Sequence, residues 1–461
     1  MQDLSTLDRS FVLHPATNLA VHQQTGPMVI ERGEGIYVWD NRGKRYIEGL
    51  AGLWCVAVGY GREELVEAAT AQMRKLAFGQ MFASRSHEPG ILLAEKLNAW
   101  MPDSRRHTGP WRFLYGNSGS DANDTQIKLI RYYNNAIGRP QKKKVISRWN
   151  GYHGVTVASA SLTGLPNFHA LFDLPMDGVL HADCPHHFRH GQPGETEAAF
   201  CDRMIANIRA LIEKEGPDTI AAFIAEPIMG AGGVIVPPAG YYEKLQPLLA
   251  EHDIILIDDE VICGFGRLGT RFGCEAMGMQ IDTMSIAKAL SSAYLPISAV
   301  AVPDWMHEAM LEPSNRMGAF AHGFTYSGHP VAAAVALRNL QLFEELDLVN
   351  HAAKVGERFQ QRLAKLLSLP FVGHTRGKGL LGGLELVDEH NGRKAFEASA
   401  KAAIRVAALA LEEGLMVRAL AGDVIAICPP LVITDEQVDE LFDALERALK
   451  RFADERATVK S

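Results

Sequence analysis

Three near-continuous apolar runs in the middle of the sequence constrain the fold more than any other feature. They read TIAAFIAEP, DIILIDDEV and TMSIAKAL, and the helical segment AGYYEKLQPLLAEH separates the first two. A strand that is apolar on both sides suits a sheet that helices cover on both faces. Because further strands (RFLYGNSG, KVISRWN) also alternate with helical segments, we expect an α/β fold with a mostly parallel sheet.

The regions on either side of this sheet predict a second, smaller α+β domain built from both termini. The segment GIYVWDNRGKRYIEGLAG alternates apolar and polar residues around DNRG, which is typical of a hairpin. The C-terminal region mixes helices with short strands, GLLGGLELV and VIAICPPLV. We predict an N-terminal segment (1–63) that joins the small domain, a large domain (64–332) and a C-terminal small domain (333–461).

Composition excludes several classes of function. The 461 residues carry a net charge of −8 without a long basic block, so nucleic acid is not the expected partner. No apolar run reaches the roughly 18 residues that a membrane span needs. The six cysteines are scattered without paired spacing, which favours reduced thiols, and the N-terminus lacks the pattern of a secretory signal. We therefore expect a cytoplasmic location.

Asp259 and Lys288 are the first candidate site residues. Each follows an apolar strand, and ligands of open α/β sheets lie beyond the carboxyl ends of the strands. A lysine there can form a Schiff base with an aldehyde, and an acid can hold a protonated pyridine nitrogen. The two together describe a pyridoxal phosphate site. Taken alone, such a pair is more often a structural salt bridge, so the interpretation depends on further sites.

Three other segments are compatible with such a site without requiring it. YGNSGSDAND runs from a strand through a Gly/Ser turn into a helix, a geometry that offers N–H groups to a phosphate. Ser118 and Ser120 there fit helix capping equally well. Tyr152, in RWNGYHG, could lie against a flat heterocycle or be an ordinary core or surface tyrosine. HGFTYSGHP, which contains Thr325, indicates only a loop with many hydrogen-bonding groups.

In this order and at these distances, the motifs resemble the class III (omega) aminotransferases of the pyridoxal phosphate fold type I group. The chain is most similar to the amine:pyruvate transaminases. The resemblance runs nearly end to end, through the segments GEGIYVWDNRGKRYIEGLAGLW, AEPIMGAGGVIVPP, DDEVICGFGR, HGFTYSGHP and CPPLVIT. It implies a large domain with a mostly parallel sheet, a smaller α+β domain, and pyridoxal 5'-phosphate as cofactor.

The resemblance also implies a role for each matching residue of the cofactor site. Lys288 would bond the cofactor aldehyde and later move the proton, while Asp259 would bind the pyridine nitrogen. Val261 and Tyr152 would pack on the two faces of the ring, and Glu226 would help to orient the site. The phosphate end would be bound by the turn that contains Ser118, Gly119 and Ser120.

Substrate and partner roles follow from the same resemblance. Trp54 would line the substrate pocket, and Arg418 would meet substrate carboxylates. Thr325 would reach the phosphate of a neighbouring subunit, which implies a homodimer, or a tetramer of such dimers, with active sites at the subunit interface. The segment RALAGD carries one residue more than the matching segment of relatives, which leaves the reach of Arg418 open.

The expected reaction moves an amino group from an amine or omega-amino acid to a keto acid, with pyruvate as the expected acceptor, by a ping-pong mechanism. Racemisation or decarboxylation on the same fold is the alternative, and a non-catalytic protein that kept the fold is a third reading. We expect no metal site, because the histidine-rich segment HADCPHHFRHG matches no zinc-binding spacing.

Overall fold

The computed structural model describes residues 3–102, 104–106, 109–388 and 392–460. The helices are α1 (Leu4–Phe11), α2 (Leu19–Thr25), α3 (Ala51–Trp54), α4 (Glu63–Lys75), α5 (Glu88–Trp100), α6 (Gly119–Ala136), α7 (Val157–Leu162), α8 (His187–His190), α9 (Glu197–Glu215), α10 (Tyr241–Glu251), α11 (Gly273–Met277), α12 (Asp304–Met317), α13 (Pro330–Glu345), α14 (Leu348–Lys365), α15 (Ala402–Glu412) and α16 (Asp435–Lys460). The strands are β1 (Ile30–Glu34), β2 (Tyr37–Asp40), β3 (Arg45–Glu48), β4 (Arg112–Gly116), β5 (Lys144–Arg148), β6 (Val179–Ala182), β7 (Ile220–Ala225), β8 (Ile255–Asp259), β9 (Thr283–Ile286), β10 (Ser298–Val302), β11 (Val372–Lys378), β12 (Leu381–Leu386), β13 (Leu415–Met416), β14 (Arg418–Leu420) and β15 (Val424–Ile427).

A seven-stranded sheet in the order β4-β10-β9-β8-β7-β5-β6 forms the centre of the molecule. Strands β6, β5, β7, β8 and β9 are parallel, and β10 runs antiparallel to both of its neighbours. Every residue of β7, β8, β9 and β10 is buried, because helices such as α6, α9 and α10 pack against the sheet. The mostly parallel sheet expected from the apolar runs is thus confirmed.

Two four-stranded sheets form the smaller α+β part. The predicted hairpin is β2–β3, and its turn is closed by the Asp40 carboxylate, which accepts hydrogen bonds from the backbone N–H groups of Arg42 and Lys44, both at 2.9 Å. This hairpin lies in the sheet β1-β2-β3-β13, where β3 pairs in parallel with the C-terminal strand β13. The second sheet has the order β11-β12-β15-β14. Both termini therefore contribute to this part, as the sequence predicts.

The exact domain boundaries stay a prediction. Helix α13, which spans the boundary proposed at residue 332, packs against α4 and α5. Among the described residues, no helix is both long and apolar enough to cross a membrane. All six cysteines are unpaired thiols, and the cytoplasmic location stays a prediction.

Candidate active site

The candidate site lies where several parallel strands end. Asp259 is the last residue of β8 and pairs in register with Ser285 of β9. Lys288 lies three residues after Ser285, just beyond the end of β9, and Glu226 follows directly after β7. Because β7, β8 and β9 are adjacent and parallel, these side chains start from one edge of the sheet. The strand-end placement expected from the sequence is what the structure shows.

Asp259 is buried and its carboxylate is held by three donors. Asn123 Nδ2 donates to Oδ2 at 2.7 Å, His153 Nδ1 lies 2.7 Å from the same oxygen, and the Val261 N–H donates to Oδ1 at 3.1 Å. Asn123 Oδ1 and His153 Nε2 are buried and have no hydrogen-bond partner within the described part of the chain. Buried polar atoms without partners are uncommon and costly, so this arrangement fits a site that a polar ligand completes.

Lys288 has the properties of a buried amine that can act as a base. It adopts a φ of +50°, in the left-handed region that a non-glycine residue rarely occupies and that recurs at functional sites. Burial lowers the pKa of its amine, while the nearby acidic groups Asp259, Cys55 and Glu226 act in the opposite direction. The neutral amine is therefore more accessible than in an exposed lysine, as nucleophilic and basic lysines require.

The N-terminus of α6 offers an anion site beside these residues. Ser118 is the N-cap: its hydroxyl accepts from the Asp121 N–H at 3.2 Å, and the Asp121 carboxylate accepts from the Ser118 N–H at 3.1 Å. Within the described chain, the N–H groups of Gly119 and Ser120 meet no acceptor. Two free N–H groups at the positive end of a helix bind phosphate well.

A cavity of about 120 Å³ connects these features. Its lining includes Tyr152 and Val261, together with Gly119, Ser120, Asn123, His153, Gly154, Glu226, Asp259, Ile262 and Lys288. The backbone of Gly119 lies against the Val261 side chain so closely that an added Cβ would sit 2.8 Å from Val261 Cγ1. The wall between the helix N-terminus and the strand end is thus closely packed, and we refer to the cavity beside it as the slot.

Glu226 holds one side of this slot in position. Its carboxylate accepts from the Tyr152 N–H at 2.9 Å and from the Gly230 N–H at 2.8 Å. Burial raises the pKa of this carboxyl. The Tyr152 ring packs edge-on against Phe168, with ring centroids 5.6 Å apart. Glu226 therefore fixes the backbone from which the Tyr152 ring reaches into the cavity.

Comparison with known proteins identifies the family. The model of the family "Aminotransferase class-III" matches residues 19–449. The chain is 48% identical to a gamma aminobutyrate transaminase of Solanum lycopersicum, over 92% of this chain and 81% of the relative. The omega transaminase of Pseudomonas jessenii in complex with PMP has 47% identity and a TM-score of 0.95, and the match covers 98% of each chain. A transaminase solved with L-alanine has 50% identity and a TM-score of 0.90, over 94% of this chain and all of that one. The chain belongs to the class III aminotransferases.

Class III aminotransferases use pyridoxal phosphate, and the residues of this family member fit that cofactor. Lys288 offers an amine for the aldehyde, and Asp259 offers a carboxylate for the ring nitrogen. The free N–H groups of Gly119 and Ser120 suit the phosphate. The cavity lining thus offers groups for the aldehyde, the ring nitrogen and the phosphate of the cofactor.

Four predicted site residues of the aminotransferase lie outside this lining. Ser118 is engaged in the helix cap, and Trp54 is buried in an apolar cluster that includes Ile262, a lining residue. Arg418 begins β14, and its positive charge lowers the pKa of Tyr152 against the larger effect of burial. Thr325 is exposed. The structure thus groups most of the predicted cofactor-binding residues in one lining, and Trp54, Arg418 and Thr325 lie outside it.

Sequence reasoning missed two residues that hold Asp259. Asn123 and His153 lie 136 and 106 residues away from it along the chain, and no periodic pattern marks such contacts. Their only sequence signal is their position inside motifs already singled out for neighbouring residues, Ser120 and Tyr152. Asp259 thus has side-chain partners of its own, whereas the cofactor ring was the one partner predicted for it.

The two acids beside Asp259 have a separate, structural role. Glu260 Oε1 accepts from the Cys274 N–H at 2.6 Å. Burial raises the pKa of Glu260 to about 7 and, together with the neighbouring Glu260, raises that of Asp258 well above its usual range. Successive strand residues point to opposite faces of a sheet, so these acids are separated from the side chain of Asp259. A raised pKa favours the neutral, protonated form, which is less costly to bury than a carboxylate.

Proposed function

We propose that this aminotransferase moves an amino group from an amine or omega-amino acid to pyruvate, through two half-reactions in one pocket. The relative from Solanum lycopersicum is a gamma aminobutyrate transaminase, and a close structural neighbour was solved with L-alanine, the amine that corresponds to pyruvate. These two donors differ in where their carboxylate lies relative to the amino group. The pocket must therefore accept carboxylates at two distances from the reacting carbon.

The position of Arg418 and its lack of a protein partner among the described residues are the main structural support for this proposal. Its guanidinium forms no ion pair or hydrogen bond with the rest of the described chain. Burial raises the pKa of the Tyr152 phenol, and Arg418 lies close enough for its positive charge to offset part of that rise. A partly exposed arginine that has no protein partner is available to a ligand, and a forked guanidinium suits a carboxylate. The arginine is long enough to meet carboxylates in more than one position and to turn away from an uncharged amine.

Lys288 and Asp259 would carry out the proton chemistry. When bound, pyridoxal phosphate supplies an aldehyde that takes up the amino group and a ring that draws electrons from the carbon losing its proton. The Lys288 amine, kept neutral more readily by burial, is the base that accepts this proton. Asp259, fixed by Asn123 and His153, stabilises a positive charge on the ring nitrogen. Glu226 keeps Tyr152 in place beside them.

The proposal is tested by following pyruvate release from L-alanine and the matched half-reactions with gamma-aminobutyrate and 1-phenylethylamine. Arg418→Ala should raise the KM for alanine and pyruvate about 10- to 150-fold, the equivalent of about 1.5–3 kcal/mol for a hydrogen bond to a charged group. Single turnover with 1-phenylethylamine should stay within about twofold. Arg405→Ala is the control, because Arg405 pairs with Glu455 on the C-terminal helices. Turnover with gamma-aminobutyrate but none with alanine or pyruvate would contradict the choice of acceptor.

We further propose that the active unit is a homodimer. Thr325 lies in an exposed loop beside Phe78, Phe82 and Tyr326, which are themselves exposed. The Phe78 and Tyr326 rings contact each other edge-on at 5.9 Å, and Gly323 packs on the Phe82 ring. An exposed apolar cluster of this kind is typical of a subunit interface. Thr325 lies outside the lining of its own cavity, which suits a contact with the site of a second subunit.

Light scattering after size exclusion tests the assembly directly. A mass of two chains, or of four if dimers pair further, at concentrations where the enzyme is active would support the proposal. Phe82→Asp should split the assembly, because a charge in an apolar interface is left without a partner. Leu311→Asp, an exposed apolar position on α12, is the matched control. A fully active single chain would refute the shared site.

A further inference from the structure

Asp8, His14 and His22 converge in the N-terminal segment, far along the chain from the cofactor residues. Asp8 lies in α1, His22 in α2, and His14 in the connection between them. His14 Nε2 and His22 Nε2 each lie 2.9 Å from Asp8 Oδ1, and His14 Nε2 lies 3.0 Å from Oδ2. The two imidazole rings are 4.2 Å apart between centroids. Three side chains thus bring atoms that can bind a metal ion close together.

The spacing of these atoms is close to what a divalent metal ion requires. Tetrahedral zinc with bonds of about 2.0–2.1 Å places its ligand atoms about 3.3 Å from one another. The ligand atoms of Asp8, His14 and His22 all lie within 4.8 Å of one another, and the closest pairs are at 2.9 Å. Adjustments of well under an ångström in the closest pairs would open room for the ion. We propose that Asp8, His14 and His22 form a zinc site with two imidazoles, one carboxylate and one water.

The chemistry of the donors supports this assignment. Neither imidazole has a hydrogen bond at Nδ1 within the described chain, so each ring can carry its proton there and present the Nε2 lone pair to a metal. His22 is 8% exposed, whereas His14 is 28% and Asp8 20% exposed. The site is therefore anchored on a buried imidazole and open to solvent on one side, which gives an ion a path in.

The local fold gives the site a structural purpose. Helix α1 has eight residues, none of them buried, and a helix so short is not stable on its own in water. Its described links to α2 are polar: the Asp8 contacts and a hydrogen bond from Gln23 Nε2 to the Arg9 carbonyl at 3.1 Å. A metal that joins Asp8 to His14 and His22 would fasten α1 to α2. Binding of this kind stabilises the state that presents the ligands together.

Two other groups of possible ligands lack these features. In the cluster of His186, His374 and Glu385, the carboxylate is already paired with Arg189 and Arg376, whose positive charges would repel a cation. No lysine or arginine in the described residues forms an ion pair with Asp8. The cluster of Asp258, Glu260 and Cys274 is fully buried, so an ion has no open path to it from solvent. The N-terminal cluster is thus the one whose charges favour a cation, although the sequence alone predicted no metal site.

The test uses tag-free holoenzyme that has been dialysed against a chelator. Titration with Zn²⁺ should show one saturable site per chain with a dissociation constant below about 1 μM, within the range of protein zinc sites. Co²⁺ in its place should give the visible bands of a four-coordinate ion. Zn²⁺ should also slow tryptic cleavage after Arg9, which lies next to Asp8 in α1. Metal content after dialysis without chelator gives an independent count.

Variants locate the site. Asp8→Asn and His14→Gln should each weaken zinc binding at least 30-fold and remove the protection at Arg9. Circular dichroism and the cofactor absorbance check that each variant is folded. His14 is chosen because it is partly exposed, so its replacement does not disturb the core. His190→Gln, in the histidine-rich segment, should change nothing. Absence of a saturable site in the native protein, or binding that persists in both Asp8→Asn and His14→Gln, would overturn the proposal, the latter by placing the ion on another group such as Cys55.

Discussion

Replacement of Gly119 by alanine is the most exacting test of the cofactor slot, because the structure gives the size of the conflict. The new Cβ would lie 2.8 Å from Val261 Cγ1 and 3.0 Å from Cγ2. Carbon atoms pack best at about 3.5–4.0 Å, so the two side chains must separate by about 0.5–1 Å. Such overpacking costs about 1–3 kcal/mol, and here the strain falls on the helix N-terminus and on the wall that would contact the ring.

The expected result is a 5- to 150-fold increase in the dissociation constant for pyridoxal phosphate, since about 1.4 kcal/mol corresponds to a factor of ten. Fluorescence titration of the cofactor-free protein measures this constant. Val261→Ala removes both offending methyl groups, so the double variant Gly119→Ala/Val261→Ala should bind more tightly than Gly119→Ala alone. The packing argument would be refuted if the dissociation constant were unchanged in Gly119→Ala. It would also be refuted if the losses of affinity in the two single variants simply added in the double variant.

Three further predictions concern the ring nitrogen, the subunit contact and a buried acid. Asp259→Asn should fold and retain cofactor but slow the single-turnover reaction at least about tenfold, because the amide cannot stabilise a protonated nitrogen as a carboxylate does; stopped-flow spectra at a nearly normal rate would count against this role. Thr325→Ala should weaken cofactor retention during gel filtration more than it lowers the rate at saturating cofactor, and unchanged retention would argue against a contact across subunits. Burial raises the pKa of Glu48 from 4.5 to about 7, so the folded state binds the proton more tightly and the free energy of unfolding should fall by up to about 3 kcal/mol as pH rises through that window. Urea unfolding at pH 5 and pH 8 should show a smaller difference in Glu48→Gln than in the native protein, and an identical difference would exclude Glu48 as its source.

The strands that place Asp259 and Lys288 could be predicted from the sequence, because burial of a strand requires a continuous apolar run. Strands covered on both faces must be apolar along their whole length, and the polar residues that follow stand out at once. The hairpin at Asp40 was equally readable, since its turn chemistry is local. The helix cap at Ser118 was readable for the same reason.

Strands β6 and β10 and the side-chain partners of Asp259 have no comparable pattern in the sequence. β6 has only four residues, including a histidine, and three of them are only partly buried, while β10 is built largely of small residues. Neither matches the long apolar runs of its neighbours, and the antiparallel direction of β10 follows from its connection rather than its composition. His153 and Asn123 act on Asp259 across more than 100 residues of chain, and such contacts exist only once the sheet has formed.

We propose that Lys288 is the amine that bonds the cofactor and then moves the proton. Reduction of the holoenzyme with borohydride, followed by peptide mass spectrometry, should place a pyridoxyl group on Lys288 and on no other lysine. In Lys288→Ala the label should disappear and transamination should fall by several orders of magnitude, although cofactor still binds non-covalently at the α6 N-terminus. A label on a different lysine, or substantial turnover by Lys288→Ala, would contradict the account.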